Sequence, residues 1–205
     1  MYSPAHFRID DRNAQIAFMK EHSFASLVTV DGGSPFASHV PVLVQENRGP
    51  CGTLVTHLAR PNPQWRHFEN GADVLVMFSG PHADVSPAWY VTTPAVPTWN
   101  YTAVHVYGKA RIVGDHAQVV SMLHELVEAN EANREERWSG EMPDDFRDNL
   151  IRGIVGVEIE ITRIEAKFKL SQNRPADVSG VVAALATSPN QTDRQLAEMM
   201  SRQVR

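Results

Sequence analysis

Residues 104–112 alternate with a period of two, and no other part of the chain restricts the fold so tightly. Val104, Val106, Gly108, Ala110 and Ile112 are small or apolar, whereas His105, Tyr107, Lys109 and Arg111 between them are bulky and polar. Successive side chains of a strand point to opposite faces, so this segment needs a core on one side only. Small and apolar residues inside with large polar ones outside suit the wall of a β-barrel. A second run from Ile154 repeats the pattern: Val155, Val157, Ile159 and Ile161 alternate with Gly156, Glu158, Glu160 and Thr162. It predicts a half-buried antiparallel strand.

The other segments fit around these two. Phe24 to Val30 reads as a strand, and Asp31-Gly32-Gly33-Ser34 as a hairpin turn. The return strand runs from about Phe36 to Gln45, with Pro41 at an edge or bulge. Two further strands are expected over 52–57 and 74–78, and 168–173 continues extended. Helices are expected after Asp10, with Ile16 and Met19 buried, and over 64–69, ended by a left-handed cap at Asn70-Gly71. Asp115 opens an amphipathic helix with Val119, Leu123, Leu126 and Val127 at helical spacing. Another helix covers 143–152. Pro175 onward gives two more pieces, the last carrying Leu196, Met199, Met200 and Val204. Ser79 to Pro97 holds four prolines and reads as an irregular loop. The sum is a mainly β, antiparallel chain of six or seven strands with inserted helices, closed into a barrel. It reads as one domain over 1–205 with a C-terminal helical segment from about 175.

Composition bounds the function. The chain has 205 residues, 42% of them hydrophobic, which is ample for a sizeable core. A net charge of −5 argues against a protein held to nucleic acid by bulk charge. The single cysteine, Cys51, rules out an intrachain disulfide or a cysteine-based zinc site. No stretch has the length and hydrophobicity of a membrane span, and the first residues lack a signal-peptide pattern, so a soluble, cytoplasmic protein is expected. The nine histidines show no HExxH spacing and no His/Cys cluster, so no metal site is expected.

The stretch Gly52–Phe68 carries the most chemistry. A strand through Leu54, Val55 and Thr56 turns at 57–60, and Pro61 and Pro63 then bracket Asn62. A helix can begin after Pro63, because proline is tolerated in a first turn. Arg60, Asn62 and the free N–H groups of a helix start are three kinds of donor to an anion, which suggests a phosphate cradle. Each residue also has a plainer role. Arg60 could be a solvated loop arginine, Asn62 a turn former, and His57 a hydrogen-bonded barrel histidine. Trp99, Asn100 and Tyr101 could be core packing, but an amide between two aromatics also suits a flavin ring and its polar edge.

Six stretches carry a resemblance: MYSPAHF at 1–7, THLARPNPQW at 56–65, SPAWY at 86–90, VPTWNYTAVHVYG at 96–108, GIVGVEIEI at 153–161 and KLSQNR at 169–174. Together they resemble the PaiB family, the FMN-binding negative transcriptional regulators, over nearly the whole chain. The resemblance implies a split β-barrel of the pyridoxamine-phosphate-oxidase type, usually a homodimer with two FMN sites at its interface. In that superfamily a strand ending Tyr/Phe-Thr-Asn precedes a Ser-Arg-Lys run whose cations hold the FMN phosphate. Here the Thr position falls on Thr56 and its neighbour on His57. The Ser-Arg-Lys positions fall on Arg60, Pro61 and Asn62, so the two usual cations are absent and one arginine stands a position earlier.

The cofactor-contacting residues expected on this basis are His39, Val40, Thr56, His57, Arg60, Asn62, Gln64, Trp99, Asn100 and Lys169. No catalytic residue is assigned. The implied function is that of an FMN-binding regulator, with an FMN-dependent oxidoreductase as the alternative and a haem-binding split barrel as a minor one. Direct DNA contact would fall to Arg194, Arg202 and Arg205 around the TSPNQTD turn. Glu198 interrupts them, and they form no dense basic stripe, so DNA binding has weak support.

Overall fold

The computed structural model describes residues 1–203 apart from 70, 72 and 133. Its helices are α1 (Arg12–Glu21), α2 (His116–Glu131), α3 (Asp144–Arg152), α4 (Val178–Ala186) and α5 (Gln191–Gln203). Its strands are β1 (Phe24–Asp31), β2 (Ser34–Pro41), β3 (Leu43–Gln45), β4 (Thr53–Ala59), β5 (Asp73–Val85), β6 (Thr98–Val113) and β7 (Ile154–Lys169). They form one seven-stranded antiparallel sheet in the order β2-β1-β5-β6-β7-β4-β3. The chain divides into two compact units. One comprises Met1–Phe18, Ser79–Val104 and the chain from Glu165; the other comprises Met19–Phe78 and His105–Ile164.

Within the second unit, the end strands of the sheet order are consecutive pieces of one bent segment. The β1–β2 ladder ends at the pair Phe24↔Pro41, and after Val42 the chain pairs with β4 instead, through Leu43↔Val55 to Gln45↔Thr53. The single return strand expected over 36–45 is therefore two strands. Proline cannot donate to a ladder, so the partner switch falls there. Thr56 closes the gap by donating its hydroxyl to the Pro41 carbonyl at 2.6 Å.

The alternation in β6 has the expected result: Val104, Val106 and Ala110 are buried. Gly108 allows β7 to approach, since a Cβ there would stand 2.5 Å from the Glu160 carbonyl oxygen. β4 is buried on both sides, because Leu54 and Leu58 face one way while Val55 packs with Val113, Val119, Met122, Leu126 and Ile151. Each fully buried side chain of this kind contributes about 1.5–3 kcal/mol. α2 starts as expected, with Asp115 Oδ1 accepting from the Gln118 N–H at 2.8 Å.

Several expectations change. β5 runs to Val85, so residues 79–85 are strand and not loop; Pro81, Ala83 and Val85 are buried while His82 and Asp84 are exposed. The period of two outweighed the prolines. Helix α1 begins under Asp11, whose carboxylate accepts from the Asn13 N–H, while Asp10 pairs with Arg8. Residues 63–68 form a six-residue 3-10 turn, not an α-helix. Beyond Lys169 the chain turns, with Ser171 at φ 66°. Glu158, expected on a solvent face, is buried with Arg48 and Arg111 as ion-pair partners. The cap expected at Asn70 and the roles expected of Val204 and Arg205 lie outside the described residues.

Candidate functional site

The expected site residues fall into two groups, one in each unit. In the second unit β2 runs beside the 56–64 segment and is tied to it at three levels. Thr56 donates to Pro41; the Asn62 amide donates to Ser38 Oγ at 2.8 Å; and the Gln64 amide nitrogen lies 3.3 Å from the Phe36 carbonyl. His39 and Val40 sit between these ties. Val40 is buried, whereas His39 is exposed, shares a hydrogen bond with Ser26 Oγ at 3.0 Å and stacks beside Phe24.

Most polar groups in the turn are engaged, although the buried Oε1 of Gln64 has no partner. Asn62 Oδ1 accepts from the Gln64 N–H at 3.0 Å, which caps the 3-10 turn. That N–H is therefore unavailable to an anion, and a turn this short presents little dipole. One donor of the expected phosphate cradle, the Gln64 N–H, is thus already used inside the turn. Gln64 is fully buried and also donates to the Leu27 carbonyl at 2.9 Å, pinning the turn to β1. Trp65 donates its indole N–H to the Arg60 carbonyl.

Arg60 donates through Nε to the Arg152 carbonyl and through Nη2 to the Ile154 carbonyl, each at 2.7 Å. A guanidinium has five N–H groups, so three remain after these two bonds. His57 is half-buried, and its Nδ1 is sealed from solvent without a partner. Burial pushes the pKa of this ring down, which keeps it neutral at pH 7. It borders a cavity of about 340 Å³ walled by α2, α3 and the segment between them, including Leu123, Val127, Trp138 and Ile151.

In the first unit Trp99 is 54% exposed, unusual for an indole on a strand, and its ring lies 6.0 Å from that of His82. Asn100 beside it is fully buried; its amide donates to Ser171 Oγ at 2.8 Å, and its Oδ1 has no partner. Ser171 holds the left-handed backbone that non-glycine residues avoid, a cost of order 1–3 kcal/mol that clusters at functional segments. Lys169 donates to Thr98 Oγ1, and its pKa is pushed down, first by burial and then by the Lys167 charge. Lys167 is buried among Tyr2, Phe7 and Tyr101. The sequence reading missed it, although the Lys-Phe-Lys spacing at 167–169 places both ammonium groups on one face of β7.

Within the first unit alone, an exposed indole, a buried amide and a lysine with no carboxylate partner among the described residues are the donor and ring types that suit a planar, phosphate-bearing cofactor. Comparison with known proteins agrees. Residues 1–163 match the family described as "Putative FMN-binding domain". The chain is 38% identical over 203 residues to "Protease synthase and sporulation protein PAI 2" of Bacillus subtilis, covering 98% of this chain and 96% of that one. Among solved structures, the flavocytochrome Anf3 of Azotobacter vinelandii is similar with a TM-score of 0.58 at 14% identity, covering 79% of this chain and 69% of that one. The FAD and heme binding protein of Mycobacterium smegmatis also gives 0.58, at 17% identity and with 79% and 73% covered. At these identities the structural likeness establishes the fold, a split barrel.

Proposed function

We propose, for a chain that belongs to the FMN-binding domain family, that FMN is held in a homodimer and that this flavin governs a regulatory output of the PaiB kind. One observation carries the reading: the exposed Trp99 beside the buried Asn100 and the carboxylate-free Lys169. Bound FMN supplies one- and two-electron redox chemistry at its ring. The protein's own part is to bind and orient. Trp99 covers a ring face, and Asn100 fixes the strand through Ser171. Arg60 offers its three remaining N–H groups to phosphate oxygens, while Asn62 shapes the turn behind it. The outward residues Phe24 and Val30 of β1, 68% and 64% exposed, give the second protomer an apolar surface. Sedimentation at low micromolar concentration should give twice 22.8 kDa, and a lone 22.8 kDa species would remove the dimer.

Trp99→Leu tests the ring contact. Aromatic pairing is worth about 0.5–1.5 kcal/mol, so FMN affinity should fall roughly two- to tenfold while the emission of bound flavin rises. Unchanged emission and affinity would return Trp99 to ordinary packing. Arg60→Ala tests the phosphate contact. Losing a hydrogen bond to a charged group costs about 1.5–3 kcal/mol, so FMN should bind roughly 10- to 100-fold more weakly. Riboflavin, without a phosphate, should bind both proteins alike. Equal losses for both flavins would make Arg60 a support for Arg152 and Ile154 only.

A second reading, an FMN-dependent oxidoreductase without direct DNA contact, is favoured by α5. Arg194, which would lead a recognition helix, donates to the Ser188 carbonyl at 2.6 Å and so holds the turn between α4 and α5. A salt-dependent gel shift on promoter DNA supports the regulator; flavin reduction by a nicotinamide donor without any shift supports the enzyme.

A further inference from the structure

Lys167 is 7% exposed, yet neither it nor Lys169 makes an ion pair with any carboxylate among the described residues. The Lys167 ammonium instead has the Tyr2 carbonyl at 3.3 Å and the rings of Tyr101, Tyr2 and Phe7 at 5.1, 5.6 and 5.8 Å. Ring faces and one long hydrogen bond replace only part of the hydration that a buried ammonium gives up. The other buried charges among the described residues are matched: Glu158 has two arginines, and Asp177 has Arg174. The Lys167–Lys169 pair is a double positive charge with no carboxylate paired to it among the described residues. Two residues apart on one strand, the ammonium groups share a face. Thr98, which accepts from Lys169, retains its own hydroxyl proton for donation.

We propose that Lys167 and Lys169, with Thr98, form an oxyanion site that takes a phosphate group. A phosphate monoester near neutral pH carries between one and two negative charges and three acceptor oxygens, which matches two ammonium groups and a hydroxyl better than a single carboxylate does. The source of the phosphate is either FMN itself or a separate phosphate ligand. Only the first rests on the FMN reading above.

The test uses the full chain with Lys169→Gln, Lys167→Gln and the double variant. FMN and riboflavin are titrated by flavin fluorescence, and unfolding is followed with inorganic phosphate against chloride at equal ionic strength. If the site holds the cofactor's phosphate, each single variant binds FMN at least about tenfold more weakly, while riboflavin is unaffected. If it holds a separate phosphate, FMN affinity is unchanged, but inorganic phosphate raises the Tm of the parent and not of the variants. Failure of the parent to bind any flavin would sink the FMN reading and leave the phosphate arm to decide this one. Should Lys167→Gln fold poorly, Lys169→Gln, at the more open position, carries the decision. Folded variants that match the parent in FMN affinity and in response to phosphate overturn the site and make Lys167 a structural cation in an aromatic cage.

Discussion

Gly180→Ala should destabilise the protein by about 3 kcal/mol and lower Tm by roughly 6–12 °C for a chain of this size. An ideal Cβ at this position would stand 2.2 Å from the backbone oxygen of Trp89. The carbonyl has little room to retreat, because the Pro87–Trp89 turn is capped by Ser86 and the next residue but one, Val91, is held by Asp177. α4 would have to lift off, uncovering Val178, Val181 and Leu185. The sign makes the test informative. Helix propensity alone favours alanine over glycine by about 1 kcal/mol, so a reading without the tertiary contact predicts stabilisation. Thermal and urea unfolding with an unchanged or higher midpoint would show that the close approach is not rigid.

Asp177→Asn should cost stability at neutral pH and flatten its dependence on acid. The Asp177 carboxylate is 1% exposed. Its Oδ1 accepts from the N–H groups of Val91 and Thr92 at 2.9 and 3.0 Å; its Oδ2 accepts from Thr92 Oγ1 at 2.5 Å and Arg174 Nε at 2.7 Å. Burial alone would raise the pKa, but the side chains of Thr92 and Arg174 and the two backbone donors outweigh it and bring it from 3.8 to about 2. A group depressed on folding contributes its stability in full above the unfolded value of 3.8 and loses it as pH falls through about 2. The asparagine has no such proton, and its NH2 turns a donor toward other donors. Denaturant unfolding from pH 7 to pH 2.5 should therefore show the parent well above the variant at pH 7 and the gap closing below pH 4. A gap constant across that range would mean that the carboxylate's charge is not what holds the 90–92 segment.

The strong periodicities were legible because each is a local property. Alternation at 104–112 and 154–161 gave strands that the structure contains, and Asp115 capped the helix expected of it. The hairpin turn at 31–34 and the two C-terminal helices also stand as read. Over 79–85 the structure continues β5, and the single proline there, Pro81, lies on its buried face. The β2–β3 break could be placed at Pro41 by its missing N–H, but the change of partner from β1 to β4 could not, since nothing local says which strand lies next.

By itself, the sequence determined that this chain is a mainly antiparallel β protein with inserted helices, and its motifs pointed to FMN. Only the tertiary structure decided what the site residues do. Arg60 and Asn62 were named from their donors, yet Arg152, Ile154 and Ser38, whose oxygens occupy part of those donors, lie far away in the chain. Lys167 was unremarkable as one lysine in a charged run; it gains meaning from its burial beside Tyr2, Phe7 and Tyr101 without a carboxylate. The physical reason is that a donor's availability and a charge's solvation depend on everything folded around the group. A residue's type and spacing record what it can bond to, and the three-dimensional neighbours decide what is left over for a ligand.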